Sequence, residues 1–350
     1  MSLRLKPIQT QVIVITGPTS GIGLCTARMA ARRGARLVLA SRNAEALAQL
    51  EREIFSQGGE ALAVTADVGN EQDVENVAAQ ALSRFGRIDT WINNAGVTVY
   101  GELLDVPVDD FRQIFETNFW GVVHGSLAAA RALRSSGGAI VNVGSTLSNR
   151  AIPIQGMYSA SKHAVKGFTD ALRMELEASD YPISVSLIKP SAIDTPYKEH
   201  GRNYLDSSPE NPPPVYAPQI VAEAILHCAE NAVRDVFVGG GGKALAAMEK
   251  VAPRLTDLYM EKTMFSQQQS DEPRGAAPYE SLYESRDSRL RESGGYEGHV
   301  AKSSIYTQAS LHPVIAGAVT AGVFAIGAGL AYSLLSREPV QVQAVSNQEN

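Results

Sequence analysis

Val12-Ile13-Val14-Ile15-Thr16-Gly17-Pro18-Thr19-Ser20-Gly21-Ile22-Gly23 is the stretch that decides the fold. Four β-branched apolar residues in succession read as a strand buried on both faces, and the glycines then turn the chain into a helix over residues 22–33. Glycines let a backbone come close to a pyrophosphate, while the first turn of a helix offers unpaired amides and a partial positive charge. A plain tight turn uses the same residues. The position between strand and helix, near the start of the chain, is what points to a dinucleotide.

Outward from this unit, short apolar runs recur at residues 36–40, 61–65, 88–92, 139–143, 183–188 and 235–238, bounded by Gly, Pro, Asp or Asn. The first six runs of the series, counted from residue 12, each lead into a helical pattern. Parallel strands need crossovers that pack on the sheet, so the pattern predicts a doubly wound α/β (Rossmann) fold with a seven-stranded parallel sheet. No solenoid repeat interrupts it.

Of the 350 residues, 44% are apolar and 19% charged, as in ordinary globular proteins. The net charge of -6 argues against nucleic acid as a partner, since no basic face would neutralise phosphates. Cys25 and Cys228 lie far apart in helical patterns and read as buried thiols; neither a disulfide nor a metal is expected. The N-terminal residues lack a signal-peptide pattern, which places the catalytic part on the cytosolic side.

Residues 314–335 form an unbroken apolar or small-residue run. As a helix it would extend about 33 Å, against roughly 30 Å for a hydrocarbon layer. The pairs Ala318/Gly322 and Ala325/Gly329 have a spacing that permits close helix contact in lipid. A single-pass C-terminal membrane anchor is the expectation; an apolar helix docked on the soluble part or in an oligomer interface is the alternative. Residues 265–311 are polar and aperiodic and read as a mostly disordered tether. The expected organisation is thus 1–264 catalytic domain, 265–311 linker, 312–336 membrane helix and 337–350 polar tail.

The chemistry is carried by Tyr158-Ser159-Ala160-Ser161-Lys162, with Ser145 upstream behind the run 139–143. Residues i and i+4 share a helix face, so an ammonium stands beside a phenol and favours its ionised form. Such a neighbour lowers a phenol from near 10 by about one to three pH units, toward the range useful in general catalysis. Taken singly, Tyr158 is an ordinary packing residue, Ser145 a turn hydroxyl and Asn118 a buried amide.

The glycine spacing, Asn93-Asn94-Ala95-Gly96, Asn118, Ser145 and Tyr158-x-x-x-Lys162 together resemble the short-chain dehydrogenase/reductase family, over about residues 8–250. The resemblance implies that Tyr158 is the acid/base, that Lys162 lowers its pKa and holds the nicotinamide ribose, and that Ser145 binds the substrate oxygen. Asn118 would anchor a proton-relay water near Lys162. It implies a dinucleotide lying along Gly17, Thr19, Ser20, Gly21, Ile22 and Gly23, with Asp67 and Val68 at the adenine and Asn94, Ala95 and Gly96 beside the adenosine ribose. Pro190, Ile193 and Thr195 would meet the carboxamide, although Ser191 stands where the family usually has glycine. Asp67 also reads as a cap for the helix that begins near Asn70.

At the end of the second strand, Ser41 takes the place of the acidic residue that reads a ribose 2′-hydroxyl, and Arg42 follows. A hydroxyl and a guanidinium suit a 2′-phosphate, so NADP(H) is expected over NAD(H), with Arg42 as a solvated helix-start residue the alternative. Residues 196–218, with Tyr197, His200 and Tyr204, read as a substrate wall. The stripe Leu245, Met248, Val251, Leu255, Leu258 and Tyr259 reads as packing. The family resemblance also implies a homo-oligomer through residues 109–134 and 156–178.

The expected function is an NADP(H)-dependent oxidoreductase interconverting a ketone or aldehyde with an alcohol, on a small lipophilic substrate near a membrane. A 3-oxoacyl-carrier reductase is a rival within the same chemistry. A catalytically silent NADP(H)-sensing protein and a membrane scaffold are readings of another class.

Overall fold

A computed structural model describes residues 3–273, 281–285, 288–312 and 316. The chain divides into two compact units at Thr307, and the architecture below is that of the first.

Seven parallel strands make the sheet: β1 (Val12–Thr16), β2 (Arg36–Ser41), β3 (Glu60–Thr65), β4 (Thr90–Asn93), β5 (Gly138–Val143), β6 (Ile183–Pro190) and β7 (Asp235–Val238). Their spatial order is β7-β6-β5-β4-β1-β2-β3. The connecting helices are α1 (Gly21–Arg32), α2 (Ala44–Ser56), α3 (Glu71–Phe85), α4 (Val108–Phe115), α5 (Gly121–Leu133), α6 (Gly156–Ala178) and α7 (Pro218–Glu230). β1 is buried along its whole length, as a strand covered by helices on both faces must be. The doubly wound fold and the strand-helix alternation are as the apolar runs predict, with boundaries moved by a residue or two.

Between β1 and β4 the strand order reverses, and this is where open α/β sheets place their ligand crevice. A buried polar chain locks the neighbouring elements together. The Asn93 amide donates to Ser126 Oγ (3.0 Å) and Asn142 Oδ1 (2.8 Å), and the Asn142 amide donates to Thr169 Oγ1 (3.0 Å). These four residues tie β4, α5, β5 and α6. Because buried polar groups are costly unless paired, the network specifies how α6 sits on the sheet.

For the described residues within 265–311, the expectation of a disordered tether is corrected. Helix α8 (Gly240–Val251) is followed by α9 (Pro253–Gln267), and Gln269–Pro273 then pairs antiparallel with Ser207–Pro209. Val300–Ala301 lies parallel to Val215–Tyr216, which pairs in turn with Ala192–Ile193. Leu282 is fully buried among Val97, Val99, Val106 and Ile114. Hydropathy does not register this segment because main-chain hydrogen bonds and charged contacts hold it, and these leave no apolar period.

The packing stripe is corrected as well. Val251 is 86% exposed and Leu255 67%, while Met260 and Met264 are buried against Ile152. Pro253 divides the helix, so the phase of the apolar residues does not carry across the break. The expected membrane helix, 312–336, lies outside the described residues apart from His312 and Ala316, and the tail 337–350 lies wholly outside them. Among the described residues no helix is long and apolar enough to cross a membrane.

Candidate active site

Along the carboxyl ends of β1, β2, β4, β5 and β6 runs one cleft of about 290 Å³. Its β1 wall is the glycine turn. Gly17 has φ +65°, and a Cβ there would stand 2.9 Å from Ala95 Cα; a Cβ at Gly23 would overlap the Gly17 carbonyl oxygen. Only glycine permits α1 to begin this close to the turn. The Asn94 side chain fixes the other side, donating to Thr16 O (3.1 Å) and Gly17 O (2.9 Å). A narrow, glycine-lined approach to the start of a helix fits a dinucleotide pyrophosphate.

At the β2 end the cleft is lined by Ser41, Arg42, Asp67 and Val68. Asp67 does not cap α3. Asn70 does so, accepting from the amides of Gln72 (2.9 Å) and Asp73 (3.3 Å), while Asp67 Oδ1 accepts from the Gly69 amide. The Arg42 guanidinium is not loose in solvent, for it donates to the main-chain oxygens of Ser281 (3.0 Å), Leu282 (3.2 Å) and Tyr283 (2.7 Å).

Ser145, Tyr158 and Lys162 meet at the β5 end of the same cleft. Ser145 ends the loop after β5 and caps the short turn Thr146–Ser148, accepting from the Leu147 amide at 3.0 Å. Tyr158 and Lys162 lie one turn apart on α6, both buried. Burial pushes the Tyr158 phenol above its usual value, against hydrogen bonds from Tyr197 and Ser145 that favour the phenolate. Burial pulls the Lys162 ammonium down to about 8. A water-poor site disfavours both charged forms. In this structure the phenol is therefore not held low by Lys162, contrary to the expectation from spacing. Lys162 Nζ instead donates to Val143 O at 2.9 Å and faces the Tyr158 ring.

Asn118 is the one candidate that does not line the cleft. It sits in the π-helical turn Glu116–Trp120, with its amide donating to Val97 O (2.9 Å) and Ser161 Oγ (3.3 Å) and its oxygen accepting from the Val97 amide (2.8 Å). Its side chain thus holds the loop after β4 against α6. It stays close to the centre: a Cβ at Gly96 would lie 3.4 Å from Asn118 Oδ1 and 3.9 Å from Lys162 Nζ.

Pro190, Ile193 and Thr195 line the cleft beyond β6. Ser191 is not among the positive-φ residues, so this turn does not need the family's glycine; Gly239, at φ +99°, packs against it instead. Tyr100, Leu147, Ile152, Tyr197, His200 and Pro212 form the outer wall. Every cofactor residue expected from the sequence therefore lines one cleft.

The sequence profile described as short chain dehydrogenase matches residues 11–204. This chain belongs to that family. The dehydrogenase is 45% identical over 326 residues to the uncharacterized oxidoreductase YxnA of Bacillus subtilis (strain 168), covering 92% of this chain and 91% of that one. It is 37% identical over 192 residues to 11-beta-hydroxysteroid dehydrogenase A of Sesamum indicum, covering 54% of each. Among solved structures, a short-chain dehydrogenase/reductase from Burkholderia phymatum in complex with NAD superposes with a TM-score of 0.60 at 26% identity, over 76% of this chain and 98% of that one. An alcohol dehydrogenase from Thermococcus sibiricus complexed with 5-hydroxy-NADP gives 0.57 at 27% identity, over 65% and 95%. The dehydrogenase is an NAD(P)-dependent oxidoreductase.

Several residues of the cleft escape sequence patterning, and two of them come from far along the chain. Ser281 and Ser285 line it beside Arg42, from a stretch with no motif and no apolar period. No local signal would have found them.

Proposed function

We propose that the dehydrogenase interconverts a ketone or aldehyde with a secondary or primary alcohol, with NADP(H) preferred over NAD(H), on a lipophilic substrate. The observation that carries the reading is the meeting of Ser145, Tyr158 and Lys162 in the cleft lined by the glycine turn. The bound nicotinamide supplies or accepts the hydride. Tyr158, protonated by virtue of its burial, gives its proton to the carbonyl oxygen, and the Ser145 hydroxyl hydrogen-bonds that oxygen as charge gathers on it. Lys162 places its ammonium against the Tyr158 ring, where positive charge stabilises the phenolate left as that proton departs. Asn118 holds the loop that carries Gly96 against the helix of the acid/base pair.

Ser41 and Arg42 at the β2 end support the phosphate-bearing cofactor, because the site offers a cation and a hydroxyl and no carboxylate from the end of β2. The outer wall of Tyr100, Ile152 and Leu147 supports a lipophilic substrate, as does the similarity to a relative named for a hydroxysteroid. The apolar run at 314–335 supports a membrane tether, with the catalytic domain on the cytosolic side.

A panel of steroid, retinoid and fatty carbonyl compounds assayed with NADPH and with NADH tests this reading. Turnover with NADPH that disappears in Tyr158→Phe while cofactor still binds is the expected result. Binding without turnover of any carbonyl by the unaltered protein would favour the sensing role. Fractionation of cells expressing the whole chain, and the chain lacking 312–350, decides the tether: release from the membrane on truncation is expected.

A further inference from the structure

The stretch beyond α9 touches the dinucleotide cleft at three places, each on a loop that shapes it. At the β2 end, the main-chain oxygens of Ser281, Leu282 and Tyr283 accept from the Arg42 guanidinium, and the Tyr283 hydroxyl donates to Asp110 at 2.8 Å. At the glycine turn, the Gly21 amide donates to Arg291 O at 2.9 Å, where Ser20 and Arg291 form a parallel bridge. Glu292 then pairs with Arg28 of α1 at 2.8 Å. Beyond β6, the Asp194 carboxylate accepts from Ser293 Oγ (2.5 Å), the Gly294 amide (3.0 Å) and the Tyr296 amide (3.1 Å).

We infer that residues 281–285 and 288–296 are a strap that completes the dinucleotide site, with Ser281 and Ser285 as further residues of its adenosine end. The inference rests on reading the cleft as the nicotinamide cofactor's site, though not on which cofactor is preferred. Ser285 Oγ accepts from the Asn43 amide at 3.2 Å, which orients it, and both serines line the cleft next to Arg42. A serine hydroxyl both donates and accepts, so it pairs with a ribose hydroxyl or a 2′-phosphate oxygen alike. The strap's carbonyls also fix the Arg42 charge at the cleft wall, where a free side chain would lose rotamer entropy on meeting a ligand.

The anchors explain why binding and strap docking are coupled. Loops after β1, β2 and β6 are shared by cofactor and strap, so a ligand that orders them lowers the cost of docking the strap, and a docked strap tightens the ligand by the same factor. Asp194 is one such clasp, with three donors from the strap on one carboxylate.

The full-length protein tests this by hydrogen–deuterium exchange of peptides covering 281–296, free and with saturating NADPH or NADH. Slower exchange with the cofactor that binds is expected; identical exchange in all states overturns the strap. Equilibrium dissociation constants for both cofactors are then measured on the double variant Ser281→Ala/Ser285→Ala and on Asp194→Asn. Loss of one or two hydrogen bonds predicts binding weaker by about five- to thirtyfold in each. Unchanged constants in both, with the variants folded, would also overturn it. Should a variant fail to fold, the exchange data on the unaltered chain decide alone. The ratio of the two constants in the unaltered chain reports cofactor preference separately, so a preference for NADH sinks that reading and leaves the strap standing if NADH slows the exchange.

Discussion

Lys162 lies over the ring of Tyr158, with Nζ 5.7 Å from the ring centroid, and spends a proton on the Val143 carbonyl at 2.9 Å. The helix turn that separates them sets the pair, but β5 sets where the ammonium points. Burial consequently outweighs the ammonium's field, and both groups are held toward their neutral forms.

The free protein should therefore show no tyrosinate from Tyr158 below its ordinary value of 10. Ultraviolet difference titration of the unaltered chain against Tyr158→Phe reads this directly. An ionisation near neutrality in the difference curve would contradict the burial argument.

Tyr158→Phe removes the proton donor and keeps the ring that packs edge-on to Tyr197. Loss of about 10²- to 10⁴-fold in kcat is expected, at nearly unchanged stability and cofactor affinity. Steady-state kinetics beside cofactor titration provide the check.

Lys162 is depressed from 10.5 in the unfolded chain to about 8 in the fold, so the unfolded chain binds more protons between those values. Stability from this group is then fully present above pH 10.5 and lost as pH falls through 8. Lys162→Met removes the penalty, and its stability relative to the unaltered chain should fall by roughly 3 kcal/mol from pH 7 to the alkaline end. Urea unfolding across that window measures the difference, while activity of the variant is lost throughout.

Gly23→Ala drives a methyl into the Gly17 carbonyl oxygen and the Asn94 amide. Displacing that backbone should cost about 1–3 kcal/mol and abolish tight dinucleotide binding. The urea midpoint and cofactor fluorescence report the two effects; an unaffected protein would mean that the turn yields more easily than its packing implies.

Arg42→Gln takes away the cation at the β2 end. The KM for NADPH should rise about tenfold or more, with a smaller rise for NADH that reflects the lost strap contacts alone. Equal losses for both cofactors would assign Arg42 to the strap only.

Sequence by itself determined the sheet, its order of motifs and the residues expected to hold the dinucleotide, because these rest on local patterns: apolar runs that must be covered, glycines where a side chain has no room, and an i,i+4 pair on one helix. Asn118 was legible as a residue near the centre, yet its side chain proved to be committed to Val97. Tertiary structure alone decided what the polar stretch after α9 does. Arg42 and residues 281–283 meet across some 240 positions through main-chain oxygens, which every residue type carries, so neither hydropathy nor side-chain chemistry marks them in advance.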